Sequence, residues 1–162
     1  MAPAYFSPSQ ARASGDERLP PRRNPFEEDL SAKGNSTMTW RNRLTAIVVD
    51  SGSLCRRIVR GVLAVYGVET EAVDGGSAAV ERINAGARFD LIVIDPNLTG
   101  MSGMETCREL RAMAPQSRIV GLSAYYNEVE RVAFLEAGGD DYFEKPFGPD
   151  KFIPILRELD NQ

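Results

Sequence analysis

A short apolar run, Leu91-Ile92-Val93-Ile94, ends abruptly at the carboxylate of Asp95. A run of this length that is rich in β-branched residues predicts a strand buried on both faces. Turn-forming residues follow at once and predict a loop: Pro96, Asn97, Gly100 and Gly103. Ligands of open α/β sheets bind at the carboxyl ends of the strands. Asp95 is therefore either a turn residue or a nucleophile and metal ligand, and we favour the second interpretation.

The rest of the chain repeats this alternation of apolar runs and helical periodicity. The runs predict strands over residues 44–49, 68–73, 91–94, 118–123 and 141–144, and the 3.6-residue spacing predicts helices over 53–66, 75–85, 103–113, 127–137 and 151–159. Five such βα units imply a parallel sheet with helices on both faces. Right-handed crossovers then favour a flavodoxin-like, doubly wound sheet with strand order 2-1-3-4-5.

Composition excludes several classes of protein. The chain has 162 residues and no histidine, so Ser/His/Asp or Cys/His catalysis and His-containing zinc sites are impossible. A net charge of −4 gives no reason to expect a nucleic-acid partner. No apolar stretch is long enough to span a membrane. Cys55 and Cys107 lie far apart, and we expect two buried free thiols in a reduced, intracellular protein.

The first 42 residues differ from the remainder. Five prolines interrupt every periodicity there, and charges of both signs are scattered among small polar residues. We predict a disordered tail over residues 1–42 and a folded domain over residues 43–162.

Four predicted strands end in polar side chains that would meet at one edge of the sheet: Asp50 with Ser51, Asp95, Ser123 and Lys145. Each residue alone is an ordinary turn or surface residue. Together, two carboxylates repel and need a cation, either Lys145 or a metal. Mg²⁺ fits, because it binds through one or two carboxylates plus phosphate oxygens. Aspartate can accept a phosphoryl group, with Lys145 neutralising one phosphoryl oxygen and Ser123 hydrogen-bonding another.

Residues 44–159 resemble the receiver domain of two-component response regulators, whose CheY-like fold is the one predicted above. The resemblance lies in five segments in the family's order: Val48-Val49-Asp50, Arg56-Arg57-Ile58-Val59-Arg60, Asp95 to Gly103, Ser123-Ala124, and Ala137-Gly138 with Tyr142-Phe143-Glu144-Lys145-Pro146-Phe147. Residues 118–147 look most similar to the small stand-alone plant regulators of type C, which act in His-to-Asp phosphorelays connected with cytokinin signalling.

The resemblance implies a role for each matching residue. It makes Asp95 the phosphoacceptor and a metal ligand, Asp50 a second metal ligand and Asn97 a backbone-carbonyl ligand. It makes Ser123 the switch hydroxyl, Tyr142 the switch aromatic and Lys145 the family's lysine, with a cis Lys145–Pro146 bond.

The sequence departs from the family pattern at Ser51, where a second acid is usual, and at Thr99, where proline is usual. The loss of one negative charge predicts weaker Mg²⁺ binding. Two alternatives follow. Asp95 is phosphorylated, but more slowly or at a higher Mg²⁺ concentration, or the domain is a pseudo-receiver that binds partners without phosphorylation.

The expected function follows from these residues. We expect a signalling protein rather than an enzyme, a monomer that is cytoplasmic or nuclear, with a histidine kinase or a histidine-containing phosphotransfer protein as its partner. An enzyme-like alternative is a phosphohistidine phosphatase that drains a phosphorelay. Because the chain ends soon after the last predicted helix, we expect an output by protein binding. A nucleotide-binding enzyme is disfavoured, because the turn after strand one lacks a glycine-rich phosphate-binding motif.

Overall fold

The computed structural model describes residues 39–162, so most of the predicted tail, residues 1–38, lies outside the described part of the chain. The strands are β1 Thr45–Val49, β2 Glu69–Val73, β3 Leu91–Ile94, β4 Arg118–Ser123 and β5 Asp141–Glu144. The helices are α1 Ser53–Val65, α2 Gly76–Asn84, α3 Gly103–Met113, α4 Glu128–Glu136 and α5 Pro149–Asp160. The alternation predicted from the sequence is confirmed.

The strands form one parallel sheet in the order β2-β1-β3-β4-β5. This is the predicted flavodoxin-like order, and β1 and β3 are neighbours at its switch point. Asp50 and Asp95, which follow these two strands, are thereby brought to the same edge of the sheet.

The strand residues alternate between two apolar cores, one on each face of the sheet. On one face, β1 and β3 contribute Val48 and Val93, which lie in a cluster with Phe152 of α5. On the other face, Ile92 and Ile94 lie in a cluster with Phe134 of α4. All four residues of β3 are buried, as the unbroken apolar run predicts. β2 is the more exposed edge strand, as predicted.

Residues 40–42, which fall at the end of the predicted tail, contact the folded domain. The indole Nε1 of Trp40 donates a hydrogen bond to the carbonyl of Tyr66, just after α1, at 2.7 Å. The backbone amides of Arg41 and Asn42 donate to the carboxylate of Asp160 at 3.0 and 2.8 Å. These bonds hold the chain against the ends of α1 and α5.

Two further observations bear on the sequence predictions. Both cysteines are free, but only Cys107 is buried, while Cys55 on α1 is half-buried. Within residues 39–162, no helix combines the length and the apolar character that crossing a membrane requires.

Candidate functional site

The ends of β1, β3 and β5 place three charged side chains in direct contact. The Nζ of Lys145 donates hydrogen bonds to Asp50 Oδ2 at 2.8 Å and to Asp95 Oδ2 at 2.7 Å. The sequence predicted this juxtaposition, because parallel strands bring their carboxyl ends to one edge. The Lys145–Pro146 bond is cis, as the family resemblance implied.

The second oxygen of each carboxylate is held by the backbone of its own loop. Gly52 N–H donates to Asp50 Oδ1 at 2.8 Å, and Asn97 N–H donates to Asp95 Oδ1 at 2.8 Å. The side chains of Lys145, Asp50 and Asp95 are 18%, 7% and 12% exposed, respectively. The cluster is therefore largely shielded from solvent and has a fixed orientation.

The ammonium group of Lys145 stays charged in this setting. Burial by itself would lower the pKa of Lys145, but the hydrogen bonds and charges of Asp50 and Asp95 outweigh burial and raise it above its ordinary value. Two carboxylates and one ammonium leave a net charge of about −1, so the site favours a further cation.

The oxygen atoms of this edge suit Mg²⁺. Mg²⁺ prefers hard oxygen ligands and binds proteins through one or two carboxylates. Asp50 and Asp95 would hold it, with the backbone carbonyl of Asn97 as the third group that the resemblance implies. No group of three or more Asp, Glu, His or Cys side chains that could hold a metal occurs within residues 39–162. Ser51 is neutral, so Asp50 and Asp95 are the two carboxylates that contact Lys145 at this edge.

Ser51 and Thr99, the two departures from the family pattern, contact one another. Their hydroxyl oxygens lie 3.0 Å apart, and the Thr99 N–H donates to Ser51 Oγ at 3.1 Å. The loop after β1 is thus bonded directly to the loop after β3.

Ser123 ends β4 and is buried. Its hydroxyl accepts a hydrogen bond from the Tyr125 N–H at 3.0 Å, and its carbonyl accepts one from the Lys145 N–H at 2.8 Å. The hydroxyl therefore bonds within its own turn, while the backbone of Ser123 fixes the position of Lys145.

Tyr142 lies on β5 with its ring buried. Its hydroxyl donates to Glu130 Oε2 on α4 at 2.9 Å, and its ring packs 5.5 Å from the ring of Phe134. Burial, supported by the nearby Glu130 carboxylate, raises the pKa of Tyr142 to about 12. This side chain connects β5 to α4.

Two glycines allow close packing at the site, one beside Tyr142 and one beside Pro96. A Cβ at Gly121 would lie 2.4 Å from Cδ2 of Tyr142, and one at Gly103 would lie 2.4 Å from Cα of Pro96. Gly121 thus makes room for the Tyr142 ring, and Gly103 lets α3 start against the loop that follows Asp95.

Sequence reasoning missed three contacts of the site. Arg56 of α1 donates to the Asp50 carbonyl at 2.7 Å, Glu130 holds the Tyr142 hydroxyl, and Thr99 binds Ser51. No local pattern indicated these contacts. Gly121 did carry a signal, because a glycine inside an apolar strand indicates close approach of another group.

Comparison with protein families gives a match over residues 46–157 to the response regulator receiver domain. Two-component response regulator 24 of Arabidopsis thaliana is 35% identical over 118 residues, covering 73% of this chain and 85% of the relative. Response regulator MprA of Mycobacterium ulcerans is 36% identical over 113 residues, covering 70% of this chain and 48% of the relative. The chain therefore spans about half the length of MprA.

Solved structures share the fold. The response regulator TrrA of Thermotoga maritima, solved in complex with Mg²⁺-BeF, is 26% identical with a TM-score of 0.63, covering 72% of this chain and 98% of that chain. A Burkholderia pseudomallei response regulator with a phosphorylated aspartic acid is 20% identical with a TM-score of 0.65, covering 73% of this chain and 69% of that chain.

Proposed function

Since this chain belongs to the response regulator receiver family, we propose that Asp95 accepts a phosphoryl group from a phosphohistidine on a partner protein in a His-to-Asp phosphorelay. The observation that carries the proposal is the contact of Lys145 with both Asp50 and Asp95 at one edge of the sheet. Lys145 offsets the repulsion between the two carboxylates, and the same ammonium lies where a phosphoryl group on Asp95 would need adjacent positive charge.

The chemistry follows from this arrangement. A carboxylate oxygen of Asp95 attacks the phosphorus, the P–N bond of the donor phosphohistidine breaks, and the imidazole of the donor leaves with the bonding electron pair. Lys145 neutralises charge on the phosphoryl oxygens, while the backbone bonds of Gly52 and Asn97 hold the two carboxylates in orientation. Mg²⁺, when bound, supplies further charge neutralisation. The Ser123 hydroxyl would turn from the Tyr125 amide towards the new phosphoryl group.

The surface beside the site suits a protein donor. Leu54, Ile58 and Val65 on α1 are 67%, 52% and 66% exposed. They lie at helical spacing and are accompanied by Arg57 and Arg60. The helix is bonded to the site through Arg56 and the Asp50 carbonyl. We propose that a phosphohistidine protein docks on this face of α1 through a surface that carries both apolar and acidic side chains.

Transfer can be tested with a radiolabelled phosphohistidine phosphotransfer protein, with and without Mg²⁺. Label should appear on the wild type and on Asp74→Asn, an exposed aspartate after β2, and should be absent from Asp95→Asn. Label on Asp95→Asn equal to that on the wild type would refute the assignment. Label leaving the donor only as free phosphate would favour the phosphatase alternative.

The docking face can be tested separately. Ile58→Glu should reduce transfer from the phosphotransfer protein at least tenfold and leave labelling by phosphoramidate unchanged. Val129→Glu, at an 80% exposed position on α4, is the matched control and should leave both rates unchanged. Equal loss with both donors would mean that the α1 change damages the site rather than docking.

The pseudo-receiver remains a second candidate, because Ser51 limits the acidic cluster to Asp50 and Asp95. For a pseudo-receiver, the affinity for the partner protein should be the same with and without Mg²⁺ and the same in wild type and Asp95→Asn. The similarity to the Arabidopsis regulator supports the finer proposal of a plant-type regulator, and the connection with cytokinin signalling rests on the resemblance of residues 118–147 to the type-C regulators. A relay rebuilt from a cytokinin-receptor kinase and its phosphotransfer protein tests it, since labelling of Asp95 should then require cytokinin.

A further inference from the structure

Two hydroxyl groups join the loops that carry the candidate metal-binding carboxylates. Ser51 directly follows Asp50, and Thr99 lies in the loop that begins with Asp95. The Ser51 and Thr99 hydroxyl oxygens are 3.0 Å apart, and the Thr99 N–H donates to Ser51 Oγ at 3.1 Å. By contrast, the bonds that hold the outer oxygens of Asp50 and Asp95 stay within their own loops.

We infer that Ser51 and Thr99 are a positioning pair that holds the two loops in register through hydrogen bonds, independently of a shared cation. Asp50 and Asp95 repel one another, and Lys145, which joins them, comes from the far side, after β5. A backbone hydrogen bond from the Asp95 N–H to the Val49 carbonyl, at 2.9 Å, joins the two strand ends, and the Ser51–Thr99 contacts join the loops beyond them. The inference rests on the proposed function, because the group that is positioned is Asp95.

The bonding pattern predicts unequal effects for the two side chains. Ser51 Oγ takes part in both contacts, whereas the Thr99 hydroxyl takes part in one and its backbone amide in the other. Ser51→Ala therefore removes both bonds. Thr99→Val keeps the shape of the side chain and removes one bond, and Thr99→Ser keeps both.

The first measurement uses the metal-free full chain. Backbone ¹⁵N relaxation should show the amides of residues 97–100 to be ordered in the wild type, with order parameters near about 0.85, and mobile in Ser51→Ala, below about 0.6. The order parameters of Thr99→Val should lie between those of the wild type and Ser51→Ala. Ser53→Ala is the matched control, because Ser53 is an exposed serine two residues further along, at the start of α1.

The second measurement is the rate of Asp95 labelling by phosphoramidate at saturating Mg²⁺. Ser51→Ala should slow labelling by about threefold to tenfold, the value of one or two hydrogen bonds. Thr99→Val should slow it less, and the double variant should be no slower than Ser51→Ala, since contacting residues are not additive. Thr99→Ser should restore the wild-type rate.

The outcomes separate this inference from the proposed function. Unchanged order parameters in Ser51→Ala, or additive losses in the double variant, would overturn the positioning pair. If Ser51 instead acts on bound Mg²⁺, Ser51→Ala would raise the Mg²⁺ requirement, Thr99→Val would be harmless and the metal-free relaxation would not change. A wild type that takes no label would refute the proposed function, while the relaxation data would still decide whether the pair orders the loops.

Discussion

Replacing Lys145 by methionine removes the shared cation and leaves its length and apolar stem. The oxygens of Asp50 and Asp95, 2.8 and 2.7 Å from the same nitrogen, lie at roughly 5 Å from one another or less, and two unit charges at that distance repel by about 3 kcal/mol at an effective dielectric constant of about 20. Solvent screening is limited, because the two carboxylate side chains are nearly buried. We therefore expect Lys145→Met to lower the free energy of unfolding by about 3 kcal/mol at pH 7, similar to the measured cost of breaking other buried ion pairs.

The response to a divalent cation identifies the cause. An opposite charge close to two carboxylates favours their charged forms. In Lys145→Met, a divalent cation could take the place of the lost ammonium between the two carboxylates, whereas it could not replace a lost packing contact. Addition of Mg²⁺ should restore part of the loss at pH 7.

The alkaline side gives a second check. The pKa of Lys145 is raised in the folded protein, so its contribution to stability is fully present below the ordinary lysine value of about 10.4 and is lost as the pH rises through the raised value. The free energy of unfolding of the wild type should therefore fall above that pH. Lys145→Met should not show the part of this fall that comes from deprotonation of Lys145.

Urea unfolding at pH 7, with a chelator and with added Mg²⁺, and again at alkaline pH, measures these differences. Lys151→Met is the matched control, because Lys151 donates only to the backbone carbonyls of Glu144 and Pro146, which do not titrate. A loss of stability for Lys145→Met that Mg²⁺ does not reduce, or that is no larger than the loss for Lys151→Met, would refute the electrostatic argument.

Three further predictions concern packing and reactivity. Gly121→Ala should cost about 1–3 kcal/mol, because its Cβ would overlap the Tyr142 ring; an unchanged urea midpoint would contradict this. Trp40→Phe should cost about 1 kcal/mol through the lost indole hydrogen bond, and equal stability would show that the bond contributes nothing. Burial raises the pKa of the Cys107 thiol to about 11, so a thiol reagent at pH 8 should modify Cys55 in the native protein and Cys107 only after unfolding.

The fold could be predicted because the apolar runs, the helical periodicity and the turn residues all indicated the same architecture. β3 was recognisable from four apolar residues and a terminal carboxylate, and its burial on both faces matches the parallel sheet. The helix boundaries were predicted less accurately than the elements themselves: α5 begins at Pro149, two residues before the predicted start. Proline is favoured at the first position of a helix, where its missing N–H is not needed.

The meeting of Asp50, Asp95 and Lys145 was predictable from strand order alone, because their positions at strand ends determine where they lie. The bond between Ser51 and Thr99 was not, since it depends on the backbone path of two loops that have no periodicity. The same holds for Glu130 and Tyr142, which are joined across a helix and a strand. The docking of Trp40 was missed because the prolines before it dominated the compositional signal.

The complete burial of β3 has a practical consequence for protein engineering. Its four side chains are buried, whereas Ser51, Thr99 and Tyr125 are exposed. A combinatorial library at these three exposed positions would vary the surroundings of Asp95 and leave the core unchanged. Variants of widely different transfer rate should therefore share one melting temperature within a few degrees.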